Sequence, residues 1–220
     1  MNQVYDRVAL IGLGLIASSI FWASKRNNIS GYITGFSRSE ETRKIARNIG
    51  LCDEVTDNLK DAVKDADLVI LCVPVGAMKQ VMLEIAPFLK TGATISDVGS
   101  VKRAVIDAVE PHLPTDVKFV PAHPLAGTEH SGPESGFASL FDNRWCLLTD
   151  HESADNEARD KVIRFWKGLG ANVEFMDADH HDLVLAVTSH APHLIAYTMG
   201  GVADDLRKVT GSEVIKYSAA

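Results

Sequence analysis

Three small residues in one short apolar segment have the spacing of a phosphate-binding turn. Gly12, Gly14 and Ala17 follow a predicted strand, Val8–Ile11, and open a predicted helix, Leu15–Lys25. In the pattern G-x-G-x-x-G/A, the first glycine permits the turn, the second admits a pyrophosphate, and the third small residue packs the helix on the sheet. The alternative is a glycine-rich turn that binds nothing. The pattern favours a dinucleotide site with contacts from Gly12, Leu13, Gly14, Leu15, Ile16 and Ala17.

The second predicted strand, Tyr32–Phe36, ends without the Asp or Glu that grips a ribose 2′-hydroxyl in many such sites. Ser37, Arg38 and Ser39 follow instead, and an arginine can hold a 2′-phosphate through a bidentate, charge-assisted contact. Ser37 with Glu40 three residues later also matches a helix capping box, and both interpretations can hold together. The loop therefore favours NADP over NAD as the cofactor.

A serine and a histidine stand in two further segments that follow predicted strands. Ser100 lies in Ser96–Lys102, and His123 begins His123–Glu129 after the strand Val117–Pro121. A histidine on a stiff loop between Pro and Gly suits general-base work near neutral pH, and a nearby serine can fix its tautomer. Taken alone, a loop histidine is more often structural. The two segments indicate catalysis only in combination with the other motifs.

Strands and helices alternate through most of the chain. The predicted strands are Val8–Ile11, Tyr32–Phe36, Asp67–Val73, Thr94–Val98 and Val117–Pro121. The predicted helices between them are Leu15–Lys25, Glu40–Asn48, Met78–Leu89 and Lys102–Val109. This alternation is typical of βαβ units. We expect an α/β fold with a Rossmann-type, doubly wound and mainly parallel sheet, whose carboxyl edge binds the ligand.

The pattern changes after residue 177. Residues 179–208 have helical spacing, interrupted only by Pro192 and the Gly200–Gly201 pair. We expect a dinucleotide-binding domain over residues 1–177 and the start of an all-helical substrate and dimerisation domain over residues 178–220. That second segment is too short to enclose its own core, so we expect it to pack on a partner chain or to be cut short here.

Composition narrows the class of protein. The 220 residues carry 22 basic and 29 acidic side chains, and the net charge of −7 disfavours binding to nucleic acid or to an anionic membrane. No apolar run reaches the roughly 20 residues of a membrane span. Three scattered cysteines, Cys52, Cys72 and Cys146, are too few for a disulfide framework. We therefore expect a cytosolic protein with reduced thiols.

Five motifs, in order along the chain, resemble those of the prephenate and arogenate dehydrogenase family of tyrosine biosynthesis. They are GLGLIASS at 12–19, DLVILCVPV at 67–75, SDVGSVK at 96–102, HPLAGTEHSG at 123–132 and TSHAPH at 188–193. HPLAGTE preceded by DVGSVK is far more specific than the glycine motif. The resemblance covers essentially the whole chain, and it implies a Rossmann domain followed by a helical domain that forms a homodimer.

The resemblance also implies a reaction. Hydride passes from the hydroxyl-bearing ring carbon of prephenate or arogenate to the nicotinamide, carbon dioxide leaves, and the ring becomes aromatic, giving 4-hydroxyphenylpyruvate or tyrosine. His123 matches the histidine that takes the hydroxyl proton, and Ser100 matches the serine that orients it. The other matching positions are Val73, Pro74 and Val75 beside the cofactor, Thr128 and Glu129 in the substrate pocket, and His181, His190 and His193 near the substrate.

The remaining histidine patterns have simpler interpretations. His190 and His193 also fit a solvated pair on one helix face, and no Cys or carboxylate accompanies them at a familiar ligand spacing, so no metal site is expected. His112, His130 and His151 lie in polar segments and are expected at the surface.

Two other functions stay open. A β-hydroxyacid dehydrogenase has the same domain order but needs a catalytic lysine on the interdomain helix, whereas the lysines after Lys167 are Lys208 and Lys216. The second alternative is a module that binds a dinucleotide without turnover. It stays open because family members continue past residue 220 into a segment whose arginine binds the substrate carboxylate. Prephenate and arogenate differ in one keto or amino group, and the sequence does not choose between them.

Overall fold

The computed structural model of the chain describes residues 3–210. It forms two compact units, of which the first ends at Ala178 and the second begins at Asp179. The sequence places this boundary one residue earlier, between residues 177 and 178. None of the helices within residues 3–210 is long and apolar enough to cross a membrane.

A six-stranded parallel sheet forms the centre of the first unit. Its strands are β1 (Tyr5–Ile11), β2 (Ser30–Phe36), β3 (Glu54–Thr56), β4 (Leu68–Leu71), β5 (Thr94–Asp97) and β6 (Lys118–Phe119). Their order across the sheet is β3-β2-β1-β4-β5-β6. This is the strand order of a Rossmann sheet, and it confirms the predicted α/β class. The sequence missed β3, which has too few residues to show a pattern.

Helices cover both faces of this sheet. They are α1 (Leu15–Asn27), α2 (Glu40–Asn48), α3 (Leu59–Val63), α4 (Val75–Ile85), α5 (Lys102–Val109) and α6 (Asn156–Gly168). Alternate residues of β1 enter different cores: Leu10 packs with residues of α1 and α6, and Ile11 packs with residues of α3, α4 and α5. Because both faces of the sheet are covered, its central strands are apolar almost throughout.

A second, three-stranded sheet carries the candidate catalytic histidine. It consists of β7 (Ala122–Pro124), β8 (Trp145–Leu148) and β9 (Asn172–Phe175). β7 pairs antiparallel with β8, which pairs parallel with β9. His123 lies in the middle of β7 opposite Leu147, so the expectation of a loop histidine is wrong. Three residues are too few to reveal a strand, and the pairing partner lies more than 20 residues away in the chain.

The second unit is helical where it is described. It contains α7 (Ala178–Leu185, which starts on the last residue of the first unit), a wider π-type turn over Ala186–His190, and α8 (Ala191–Thr210). The sequence predicts interruptions at Pro192 and at the two glycines. The turn over Ala186–His190 is the interruption associated with Pro192, whereas the interruption predicted at the glycines is wrong. The irregular turn comes just before Pro192, because a proline ring and its missing N–H disturb the preceding helical turn. Gly200 and Gly201 lie inside α8.

Candidate active site

The carboxyl ends of four neighbouring strands bring most of the predicted site residues to one edge of the sheet. Residues 12–17 follow β1, residues 37–39 follow β2, residues 73–75 follow β4, and Ser100 follows β5. The order β2-β1-β4-β5 makes these four ends adjacent. This is the edge at which parallel α/β sheets bind their ligands.

The turn after β1 has the backbone geometry of a phosphate-binding loop. Gly12 has φ +104°, and a Cβ there would lie 2.7 Å from the carbonyl oxygen of Cys72 and 3.0 Å from Cγ1 of Val73. Gly12 is therefore needed for the fold. A Cβ on Gly14 would meet nothing within 4 Å, so the chain itself gives no reason for a glycine there.

The start of α1 also fits an anionic ligand. Gly14 is the N-cap residue, no side chain caps the helix, and its first turn contains no acidic residue. The uncapped N–H groups and the helix dipole suit a pyrophosphate, which would approach over the open side of Gly14. Ala17 is fully buried, so the helix lies close to the sheet. The residues at this end of β1 therefore fit a dinucleotide.

The loop after β2 is held from beneath by a buried arginine. Nη1 of Arg43 donates hydrogen bonds to the carbonyl oxygens of Ser37 and Arg38, both at 2.8 Å. The helix cap is Ser39, whose Oγ accepts from the backbone N–H of Thr42 at 3.2 Å, so the predicted capping box of Ser37 is wrong. The side chain of Arg38 is exposed and has no ion pair within the described part of the chain.

The predicted catalytic residues lie on two segments that share buried contacts. His123 is only 9% exposed, whereas Ser100 is exposed and its hydroxyl has no hydrogen-bond partner among residues 3–210. Asp97, the last residue of β5, accepts a hydrogen bond on Oδ1 from the backbone N–H of Ala122 at 3.0 Å. Lys102, the first residue of α5, donates through Nζ to the carbonyl oxygen of Ala122 at 2.6 Å. The segment that carries Ser100 is thus joined to the residue before His123.

The predicted substrate residues of the first unit lie on an exposed loop after β7. Oγ1 of Thr128 accepts from the backbone N–H of His130 at 3.2 Å, and Oε1 of Glu129 lies 3.4 Å from Nε2 of the same histidine. Thr128 also lines a surface cavity of about 300 Å³ together with Phe137 and Arg144. The side chain of Glu129 does not line this cavity.

A contact with α1 anchors the far end of this loop. The backbone N–H of Phe137 donates to Oγ of Ser19 at 3.1 Å. The backbone of Gly136 lies directly on Ser18, so closely that a Cβ on Gly136 would overlap Cβ of Ser18. The loop that carries Thr128 and Glu129 is therefore fastened to the helix of the dinucleotide turn.

The three histidines assigned to the helical segment differ in exposure. His181, in α7, is fully buried, and its Nδ1 lies 2.8 Å from Oδ1 of Asp182. His190 is half-buried in the π-type turn, and His193 is exposed on α8. All three belong to the second unit, and their assignment to the substrate stays a prediction.

The thiols of the first unit do not supply a nucleophile. Burial raises the pKa of Cys52 to about 12 and raises the pKa of Cys72 and Cys146 above the ordinary thiol range. Since the thiolate is the reactive form, all three side chains stay protonated and unreactive near neutral pH. Among residues 3–210, no group of three or more His, Cys, Asp or Glu side chains is arranged to hold a metal ion.

One histidine assigned to the surface is buried instead. The ring of His151 packs edge-on against Phe119, with the ring centres 5.2 Å apart, and Nδ1 lies 2.8 Å from Oγ of Ser153. The polar residues around His151 in the sequence concealed this position. His130 is exposed, as predicted, and His112 is half-buried.

Four residues that shape this site have no role predicted from the sequence: Asp97, Lys102, Arg43 and Ser19. Asp97 and Lys102 stand inside a quoted motif, and a carboxylate at the end of a strand with a lysine five residues later is a detectable signal. Ser19 ends the motif at 12–19, but neither Ser19 nor Arg43 has a local pattern that indicates its contact. Each lies on a helix among ordinary helix residues, and its hydrogen-bonding partner is set by the tertiary structure.

Comparison with known proteins identifies the family. Residues 22–175 match the model for the nucleotide-binding domain of prephenate dehydrogenase. The chain is 43% identical over 216 residues to the cyclohexadienyl dehydrogenase of Zymomonas mobilis, covering 98% of this chain and 73% of that protein. It is 35% identical over 200 residues to the prephenate dehydrogenase of Bacillus subtilis, covering 90% of this chain and 54% of that protein.

A solved structure agrees with these sequence matches. The prephenate dehydrogenase of A. aeolicus, in complex with hydroxyphenyl propionate and NAD+, superposes with a TM-score of 0.86 at 29% identity. The match covers 96% of this chain and 73% of that one. The match to the nucleotide-binding domain of prephenate dehydrogenase favours that family over the β-hydroxyacid dehydrogenases. The chain belongs to the prephenate dehydrogenase family and contains its nucleotide-binding domain.

Proposed function

We propose that the protein catalyses the oxidative decarboxylation of prephenate, arogenate or both, with a nicotinamide dinucleotide as the hydride acceptor. The observation that carries the proposal is the position of His123. It is a buried imidazole on a strand that Asp97 and Lys102 join to the carboxyl edge of the sheet, the same edge that carries the glycine turn. The names of the relatives support the same substrate class.

In this reaction His123 accepts the proton of the ring hydroxyl through its neutral imidazole. Loss of that proton concentrates negative charge on the oxygen, which helps to expel hydride from the same carbon. A bound nicotinamide would supply the acceptor for that hydride; loss of carbon dioxide then makes the ring aromatic. Because aromatisation drives the reaction, the main task of His123 and Ser100 is to align the hydroxyl. The hydroxyl of Ser100 is exposed and unpaired within residues 3–210, so it is available to hydrogen-bond the substrate or the imidazole.

For the cofactor, we propose NADP in preference to NAD. The loop of Ser37, Arg38 and Ser39 contains no carboxylate that would repel a 2′-phosphate or bind a 2′-hydroxyl. Arg43 donates hydrogen bonds to the carbonyl oxygens of Ser37 and Arg38. The side chain of Arg38 is exposed and has no ion pair within residues 3–210. An exposed guanidinium can hold a phosphate by two parallel hydrogen bonds. Residues 73–75 follow β4, on the other side of β1 from this loop, and we propose that they also contact the dinucleotide.

For the substrate, we propose contacts from Thr128 and Glu129. Thr128 and Glu129 lie on the loop that Ser19 fastens to α1, and this supports a place near the cofactor. His181, His190 and His193 are assigned by the family resemblance alone.

We further propose that a second copy of the protein covers one face of α8. Ile195, Met199, Val202 and Leu206 are all at least 50% exposed, and their spacing of four, three and four residues puts them on one helix face. A continuous apolar stripe on a helix normally lies against another surface. A homodimer through this helix accounts for the stripe.

An assay of the full-length protein with each substrate and each cofactor tests the proposed function. Prephenate and arogenate are each combined with NAD and with NADP, and formation of the reduced cofactor is followed by absorbance. We expect turnover with at least one substrate and a higher kcat/KM with NADP. Tight binding of the dinucleotide without turnover on either substrate would favour the binding module instead.

A further inference from the structure

Asp97 and Lys102 form an ion pair that is completely removed from solvent. Both side chains have no exposed surface, and Nζ of Lys102 contacts Oδ2 of Asp97. The same Oδ2 accepts from the backbone N–H of Gly99 at 2.8 Å. Oδ1 of Asp97 and Nζ of Lys102 then bind the N–H and the carbonyl oxygen of Ala122. Both oxygens of the carboxylate are therefore in use within the protein.

The hydrogen-bond pattern of β7 explains why Ala122 needs these partners. In an antiparallel pair, residues alternate between those whose N–H and C=O point to the partner strand and those whose groups point away. The backbone N–H of Thr149 donates to the carbonyl oxygen of Pro121 at 3.1 Å, and that of Leu125 donates to Trp145 at 2.7 Å. Pro121 and Leu125 thus face β8. Ala122, which lies opposite Leu148, has its N–H and C=O on the other side of the strand.

A buried ion pair is an energetically unfavourable way to satisfy the backbone hydrogen bonds of one residue, Ala122. Removing two charges from water is unfavourable, and neutral groups can also bind an N–H and a C=O. The pair gives instead a stiff, charge-assisted connection between the end of β5 and the start of β7. Its two members also flank the loop that carries Ser100, because Asp97 precedes that loop and Lys102 follows it.

We propose that Asp97 and Lys102 are positioning residues that fix the imidazole of His123 relative to Ser100. Neither contacts the reacting atoms. They set the position of Ala122 along and across β7, and this position fixes the backbone from which the next side chain, His123, projects. This inference rests on the proposed function, in which His123 is the proton acceptor. Misplacement of a catalytic group by about 1 Å costs roughly 100-fold in rate. A small shift of His123 after loss of the ion pair would therefore lower kcat strongly.

The test compares variants of the full-length protein. Lys102→Met leaves a buried carboxylate without its counter-ion, so we expect it to unfold at a lower temperature. The informative variant is Asp97→Asn combined with Lys102→Met. It removes both charges at nearly constant volume and takes the cationic donor from Ala122. Val63→Ala, at a fully buried core position at the end of α3, is the control for a loss of stability that leaves the position of His123 unchanged.

Three quantities are measured on each variant: kcat and KM, the Kd for the dinucleotide, and the imidazole NMR signals of His123 with exposed His130 as reference. We expect the double variant to keep the Kd and KM within about threefold, lose roughly 10- to 100-fold in kcat and shift the His123 signals alone. Val63→Ala should keep kcat. A folded double variant with unchanged kcat would overturn the proposal. So would one in which the dinucleotide Kd and the KM rise as strongly as kcat falls.

The NMR signals separate this inference from the proposed function. If the parent protein turns over neither substrate, the proposed function fails, and the His123 signals alone decide the positioning role. A shift confined to His123 supports that role, and signals that match the parent protein overturn it. If the double variant does not fold, Asp97→Asn alone is measured in the same way with the same expected outcome.

Discussion

The backbone of Gly12 crosses the end of β4 so closely that a Cβ on Gly12 would lie 2.7 Å from the carbonyl oxygen of Cys72. Cys72 cannot easily move away, because its N–H donates to the carbonyl oxygen of Ile11 at 2.8 Å. With the positive φ, this contact predicts that Gly12→Ala lowers the free energy of unfolding by about 1–3 kcal/mol. Urea unfolding measures this loss, and cofactor affinity should fall with it.

Gly14→Ala is the matched variant, because Gly14 has an extended backbone and open space around it. We expect its free energy of unfolding to stay close to that of the parent protein. The dinucleotide Kd should rise at least about tenfold, since the new methyl group lies where the pyrophosphate approaches. Unchanged affinity in Gly14→Ala would mean that the turn does not hold the phosphates.

The exposed guanidinium of Arg38 predicts the cofactor preference. Arg38→Asp should weaken NADP binding by about 1–3 kcal/mol, the range for a hydrogen bond to a charged group, and affect NAD much less. Calorimetric titration with both cofactors measures the difference. Lys44→Asp, which makes the same charge change at an exposed position on α2, is the control and should affect both cofactors equally. An equal loss for both cofactors in Arg38→Asp would remove Arg38 from the site.

The buried thiols predict a loss of stability at alkaline pH. Burial raises the pKa of Cys146 well above its ordinary value, whereas a thiol in the unfolded chain ionises near pH 8.5. Above that pH the unfolded state binds fewer protons than the folded state, so the free energy of unfolding falls as the pH rises. Each such thiol contributes a slope of about 1.4 kcal/mol per pH unit.

Urea unfolding between pH 7 and pH 10 measures this slope. Cys146→Ala should flatten it by the contribution of one thiol, whatever the cavity costs at neutral pH. Cys52, whose raised pKa of about 12 has the same cause, should contribute in the same direction. A slope that does not change in Cys146→Ala would contradict the burial of an un-ionised thiol.

The apolar stripe on α8 predicts self-association. Ile195→Glu with Met199→Glu places two charges in the stripe and should shift the protein to monomer, because an unpaired charge is costly to bury. Sedimentation over a range of protein concentrations measures the shift. Leu83→Glu on α4 replaces an exposed leucine outside the stripe and should leave the mass unchanged. If both variants keep the parent mass, α8 is not the interface.

The sequence predicts the Rossmann sheet and its ligand edge because their signals are local. The predicted bounds of α2 and α5, Glu40–Asn48 and Lys102–Val109, agree with the structure. The glycine motif lies between a strand and a helix, where a helix N-terminus must point at the ligand. Local pattern and tertiary structure therefore agree at this end of β1.

The second sheet and its contacts were not predictable in the same way. β7 is three residues long, and its pairing with β8 joins segments separated by more than 20 residues. Lys102 begins a helix, a position where lysines are ordinarily solvated, yet it is fully buried because Asp97 neutralises it. The motif HPLAGTE makes His123 a candidate, but the strand that carries it and the ion pair that supports it depend on long-range contacts. Those contacts are visible only in the three-dimensional structure.

His123→Asn tests the central claim most directly. The account predicts that kcat falls about 100-fold or more, the lower range for a general base, while the dinucleotide Kd stays within about twofold. Ser100→Ala should lose less kcat, because a serine that orients the base does not take the proton. The kcat/KM of the parent protein should fall at acid pH, where the imidazole becomes protonated. A His123→Asn variant with near-normal kcat would contradict the assignment of His123 as the proton acceptor.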